Sequence, residues 1–254
     1  MKARHGIIVA AIATLGVNGL TGVAQAASGS YTCDGLLASG TYTNVSVPAS
    51  CTVPDGADVT VTRNVTVAAG AMFDASTHST LTVWGNVSAG PGAFVALGCT
   101  GAHPCDDGVP GEIGADTIHG NVTLDHVFDA AINGVTIDGN LTSAGGGPGV
   151  PADPFIPFSI KDDTVGGNIS VSGLRASWFG VIRTTVGGNV TLSDIITGDP
   201  DGNEIVADTI GRNLVCHGLS PAPQLGDAVE DAPPGYGPSD VGGKAIGQCA
   251  ELAR

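Results

Sequence analysis

The chain has 254 residues, with 9 Lys and Arg against 24 Asp and Glu, a net charge of −15 and only 4% aromatic residues. Binding to a phosphate backbone needs clustered Lys and Arg, so nucleic acid and anionic membrane surfaces are excluded as partners, whereas excess acid suits solubility or a cation such as calcium. Gly, Ala, Val and Thr dominate; Gly and β-branched residues lower helix propensity, and a 42% hydrophobic content argues against disorder.

In chain order, residues 1–26 read as a secretory signal peptide. Lys2 and Arg4 precede the apolar run Ile7–Leu15, and Ala24-Gln25-Ala26 supplies a small-x-small cleavage site before Ala27. Gly16, Asn18 and Gly19 interrupt the run short of the ~20 residues a spanning helix needs. The expected product is secreted and carries no transmembrane segment. Its six cysteines, an even number in an exported chain, read as disulfides. Of the pairings six cysteines allow, Cys33–Cys51, Cys99–Cys105 and Cys216–Cys249 join sequence neighbours, which is what a repeat array brings together.

Residues 27–52 form an N-terminal cap, with a degenerate repeat at Thr41–Ser46. From residue 53 to 216 the pattern T-[VI]-x-[GR]-N-[VIL]-[ST] recurs seven times, with its asparagines at 64, 86, 121, 140, 168, 189 and 213; only Val215 departs from it. Asn44 belongs to the degenerate copy. The basic unit is about 20 residues, with loop insertions near 90–115 and 143–160. The first carries Cys99 and Cys105; the second, SAGGGPGVPADPFIPF, is rich in Gly and Pro. Residues 217–254 form a C-terminal cap or tail.

In the copy Thr184–Leu192, alternation along a strand points Val186, Val190 and Leu192 inward and Thr185 and Thr191 to solvent. Gly-Gly-Asn turns the corner between them, these being residue types that tolerate positive φ. Stacked asparagines are expected to hydrogen-bond between repeats. Further strands fit Trp178–Ile182 and Ile205–Val206. The predicted fold is all-β: a single-stranded parallel β-helix, or β-solenoid, right-handed, of about eight coils with disulfide-capped ends and roughly 35–40 Å long.

On this repeat the chain resembles the parallel β-helix proteins of pectate-lyase-like shape over about Gly40–Cys216. Its tail, from Asn213 to Cys249, resembles the ends of secreted β-helix proteins of GC-rich bacteria. The resemblance implies polysaccharide cleavage as one activity. Asp162-Asp163 and Cys216-His217-Gly218 echo two motifs of polygalacturonase-like hydrolases, but the Asn-Thr-Asp and Arg-Ile-Lys motifs that accompany them are missing.

The Asn-x-Ser/Thr matches are glycosylation acceptors by pattern, yet they all fall at one phase of the repeat. A phosphate loop would need a Lys after its glycines. Asp199, Asp201, Asn203 and Glu204 lie within six residues and offer oxygen ligands to calcium; no other cofactor is expected. His119 and His126, with Asp125 and Asp129 nearby, offer a weaker zinc set. Regular outward threonines resemble an ice-binding face, although each strand carries only one. No acid–base pair or activated nucleophile emerges, so the expectation is a secreted non-catalytic scaffold or adhesion module of the cell envelope or extracellular space. Its partner would be an extracellular polysaccharide or cell-surface component. The alternative is a polysaccharide lyase or glycoside hydrolase.

Overall fold

In the copy at 184–192, Thr185–Val186 and Val190–Ser193 are short strands joined by Gly187–Asn189. Each half pairs in parallel with the same half of the neighbouring repeats: Val165, Val186 and Ile210 stand in register on one side, and Ile169, Val190 and Leu214 on the other. This is a computed structural model that describes residues 27–105, 112–150, 156–225 and 237–253. The expected leader at 1–26 lies outside those residues, as do parts of both insertions and of the tail.

The paired halves make one large, parallel, 18-stranded sheet. Between successive pairs the chain crosses to a second, eight-stranded sheet through Gly35–Leu36, Ser50–Thr52, Met72–Ala75, Phe94–Leu97, Asp129–Asn133, Pro157–Lys161, Trp178–Ile182 and Asn203–Val206. Arg175–Ala176 and Ile196–Thr197 form a small third pairing. Every regular element among the described residues is a strand. Two second-sheet strands fall inside the spans expected to be loop insertions, Phe94–Leu97 in the first and Pro157–Lys161 at the end of the second, so the irregular segments are shorter than the repeat spacing implied.

The core lies between the sheets as columns of small apolar side chains. Val45, Val65, Val87, Val122, Leu141, Ile169, Val190 and Leu214 are in register from repeat to repeat and essentially inaccessible to solvent. Burying each such side chain stabilises by roughly 1.5–3 kcal/mol relative to exposure. Thr185 is exposed and Thr191 half-buried, as strand alternation requires.

The corner is not turned by positive φ. Gly187, Gly188 and Asn189 are absent from the residues with left-handed backbone. In the five repeats that carry it, the glycine before the asparagine lets the chain run against the repeat beneath it. The Gly139 N–H donates to the Gly120 carbonyl at 3.0 Å, and a Cβ on Gly139 would come within 2.5 Å of that oxygen. Arg63 and Arg212 carry a side chain at this place in two repeats. Left-handed backbone occurs instead where the other strands end, at His126, Gly145, Gly173, Asp194 and Gly218, and again at Gly134, Asp162, Arg183 and Ala207.

The last two strands of the second sheet are covered on both faces. All five residues of Trp178–Ile182 are buried, as are all four of Asn203–Val206. Trp178, Ile182 and Val206 form a small apolar cluster with Leu225 on the outer side. The indole lies so close over Gly180 that a Cβ there would fall 2.2 Å from the ring. Strands buried on both sides read as continuous apolar runs and not as alternations, which accounts for the sequence Trp-Phe-Gly-Val-Ile.

Three disulfides are present, Cys33–Cys51, Cys99–Cys105 and Cys216–Cys249.

Candidate functional site: a groove of amides and hydroxyls

The asparagines stack into a continuous ladder. The Oδ1 of each accepts the backbone N–H of the next asparagine in the series, from Asn44–Asn64 at 3.3 Å to Asn189–Asn213 at 3.2 Å. From Asn64 onward the same oxygen also accepts the Nδ2–H of the next asparagine, at 3.5 Å for Asn86 and 3.0 Å for Asn140, Asn168, Asn189 and Asn213. The backbone N–H of Lys244 donates to Asn213 at 3.0 Å and ends the series. A side-chain amide has two donors and one oxygen. From Asn86 to Asn213 the ladder therefore uses Oδ1 and one Nδ2 hydrogen, and the second Nδ2 hydrogen takes no part in it.

Two residues further along each repeat stands a second column: Ser46, Thr66, Ser88, Thr123, Thr142, Ser170 and Thr191 in register. Between the columns runs an open groove of about 750 Å³, extending from Asn64 and Thr66 to Asn168 and Ser170. Its walls offer amide donors and hydroxyls, repeated at the strand spacing of roughly 4.8 Å, and carry no charged residue. On the other side of the corner a third column, Thr41, Thr60, Thr82, Thr117, Thr136, Thr164, Thr185 and Thr209, is also in register. The next outward positions, Thr62, Trp84, His119, Asp138 and Gly166, supply no second threonine row.

The other sequence candidates are dispersed. Asp199 accepts the Asp201 N–H within a tight turn, Asn203 donates inward to the Pro221 carbonyl at 2.8 Å, and Glu204 points outward to accept the Trp178 Nε1–H at 2.8 Å. Adjacent residues of a strand face opposite sides, so the Asn203 amide and Glu204 carboxylate do not converge. No cluster of metal-ligating side chains occurs among the described residues. His119 and His126 turn to different carboxylates, Asp138 at 2.7 Å and Asp125 at 2.6 Å.

The two acids of Asp162-Asp163 also part. Asp163 is buried and accepts the Val135 N–H at 2.7 Å, and burial raises its carboxyl well above the usual range. Asp116 and Asp208 do the same for the N–H groups of Leu81 and Thr184. Burial lifts Asp116 to about 7 against the pull of its N–H donors, and lifts Asp208 well above the ordinary range. These carboxyls satisfy backbone N–H groups in or just before first-sheet strands, a structural duty that the sequence pattern did not reveal. Cys216-His217-Gly218 resolves into a disulfide cysteine, an exposed histidine and a left-handed corner glycine.

A second polar cluster covers the outer face of the second sheet. Arg183 grips Asp162 with two N–H groups, one at 2.6 Å, and its Nη2 lies 3.4 Å from His103 Nε2. Burial first, then Lys161, lowers the His103 imidazole to about 4. It is thus neutral at pH 7, and its 3.9 Å approach to Asp162 is a polar contact, not an ion pair. Lys161 lies over the Trp178 ring at 4.4 Å; burial lowers its ammonium, and Glu204 opposes the shift. This cluster fastens the Cys99–Cys105 loop to the sheet through His103. Its only sequence signal was the scatter of charged residues in otherwise apolar strands.

Comparison with known proteins finds no matching family model, no matching curated protein and no matching solved structure.

Proposed function

We propose that the chain is a secreted, non-catalytic binding module of the cell envelope or extracellular space, built as a parallel β-solenoid of about eight coils with disulfide-capped ends, and that its groove holds an extended polysaccharide. The groove carries this reading: it repeats one amide and one hydroxyl per unit across five repeats, and a polymer is the ligand that presents hydroxyls at regular intervals. The strong negative charge of the chain disfavours polyanions and favours a neutral glycan. The resemblance of the repeat sequence to pectate-lyase-like β-helices supports a saccharide partner. Co-sedimentation of the protein with insoluble cellulose, chitin, xylan and β-1,3-glucan tests it; retention on at least one polymer is expected, and retention on none overturns it.

A second reading, that the chain cleaves a polysaccharide, draws on Asp162 meeting Arg183 and Glu204 facing Lys161. Both acids are engaged, one by Arg183 and the other by the Trp178 indole, which favours a fastening role over proton transfer. New reducing ends or unsaturated products from the same polymers would reverse that preference.

A further inference from the structure

Trp84 is one of two tryptophans in the chain, and 58% of its surface is exposed. A single exposed aromatic is unremarkable by itself; this one is held in a fixed orientation. Its ring stacks on His119 with centroids 4.1 Å apart and planes 23° from parallel. His119 in turn is anchored by Nδ1 to Asp138 Oδ2 at 2.7 Å. The three residues occupy the same place in three successive repeats, each two positions before a ladder asparagine: Asn86, Asn121 and Asn140.

With His119 over one face, so large an exposure leaves the opposite face open. That face looks toward the preceding repeat, since the Trp84 N–H donates to the Val61 carbonyl and Val61 pairs with Val83. The residue at the matching place there is Thr62, a short side chain whose hydroxyl is engaged by the Tyr42 carbonyl at 3.3 Å. Asn64 and Asn86, which line the groove, follow Thr62 and Trp84 by two residues. An aromatic platform thus stands across the corner from a row of hydroxyl-binding donors, just outside the groove's own lining.

We propose that the open face of Trp84 is a stacking subsite for one pyranose ring of a neutral polysaccharide, an inference that rests on the groove being the polymer site. The axial C–H bonds of a sugar ring carry partial positive charge, and the indole face is negative. A ring pre-oriented by His119 loses little freedom on binding. Asp138 beside the platform selects against sugar acids.

Fluorescence titration with cellohexaose, laminarihexaose, chitohexaose and xylohexaose tests the subsite. Trp178 is buried, so a ligand-induced change in emission reports Trp84. A hexaose that binds the native protein is expected to shift the emission, to bind Trp84→Ala roughly tenfold more weakly by calorimetry, and to bind Trp84→Phe nearly as well as the native protein. Unchanged affinity of Trp84→Ala, with affinity lost in the groove double variant Thr123→Val/Thr142→Val, overturns the subsite and leaves the groove standing. Affinity lost in Trp84→Ala but kept in the double variant overturns the groove as the polymer site, and with it the subsite as an extension of that groove. Native protein that binds no hexaose overturns both.

Discussion

Asn140 Oδ1 accepts two hydrogen bonds from Asn168, one from its backbone N–H at 2.9 Å and one from its side chain at 3.0 Å, while Asn140 Nδ2 donates to Asn121. An asparagine there is both acceptor for one neighbour and donor to the other. Asn140→Asp keeps the acceptor but sets a carboxylate against the Asn121 oxygen, and Asn140→Ala removes both roles. Each is expected to cost about 1–2 kcal/mol, lowering the melting temperature by roughly 2–8 °C. Melting curves matching the native protein would mean the ladder adds nothing to stability.

The glycine before the asparagine gives a sharper contrast. Gly139→Ala places a methyl 2.5 Å from the Gly120 carbonyl, whereas a Cβ on Gly101 meets nothing within 4 Å. The first substitution is expected to destabilise by about 1–3 kcal/mol and the second to leave stability within about 0.5 kcal/mol. Chemical denaturation of the two variants side by side decides it; equal midpoints would refute close backbone approach as the reason for glycine.

Cys216–Cys249 spans 33 residues. In the chain-entropy account a loop of that size confers about 3–4 kcal/mol, so Cys216→Ser or Cys249→Ser should melt well below the native protein. Reductant opens the other two disulfides as well, so it should lower the native curve at least to that of the untreated variants and lower the variants further.

The buried carboxyls predict an unusual pH response. Asp116 and Asp129 titrate at about 7 in the folded protein against an ordinary 3.8, and Asp163 and Asp208 are raised as well. A raised carboxyl means that the folded state binds more protons than the unfolded state. Their contribution is therefore fully present below pH 3.8 and is lost as the pH climbs through 7. His103, lowered to about 4 from 6.5, opposes them as the pH falls between those values. Four carboxyls outweigh one imidazole, so denaturation midpoints should be higher at pH 5 than at pH 8, with a smaller difference in Asp116→Asn. A midpoint that rises from pH 5 to pH 8 would contradict the burial of these groups.

Because Asn203 and Glu204 face opposite sides of one strand, calcium is expected to leave the melting temperature where EDTA leaves it. A rise with calcium that Asp199→Ala and Asp201→Ala remove would restore the acidic turn as a metal site.

Much of the first sheet was legible because a 20-residue period with fixed valines and threonines admits few arrangements: Val186, Val190 and Leu192 are buried where alternation put them. The role given to Gly-Asn was mistaken in its cause, since glycine serves close approach as readily as positive φ and sequence does not distinguish the two. The second sheet was harder to read, as strands buried on both sides lose their alternation. The groove was legible only in parts. The columns could be aligned, but that Oδ1 is consumed while one amide hydrogen stays outside the ladder is a matter of geometry. Trp84 went unremarked because its meaning depends on His119 and Asp138, 35 and 54 positions away in the chain.

Successive ladder asparagines are separated by 20, 22, 35, 19, 28, 21 and 24 residues, yet every step closes with a hydrogen bond of similar length. The ladder is a ruler that counts floors and ignores the length of the staircase between them. Genetic change can therefore graft, lengthen or delete a balcony on one storey while the storeys above keep their alignment, which leaves the outgrowths free to diversify over an unaltered façade.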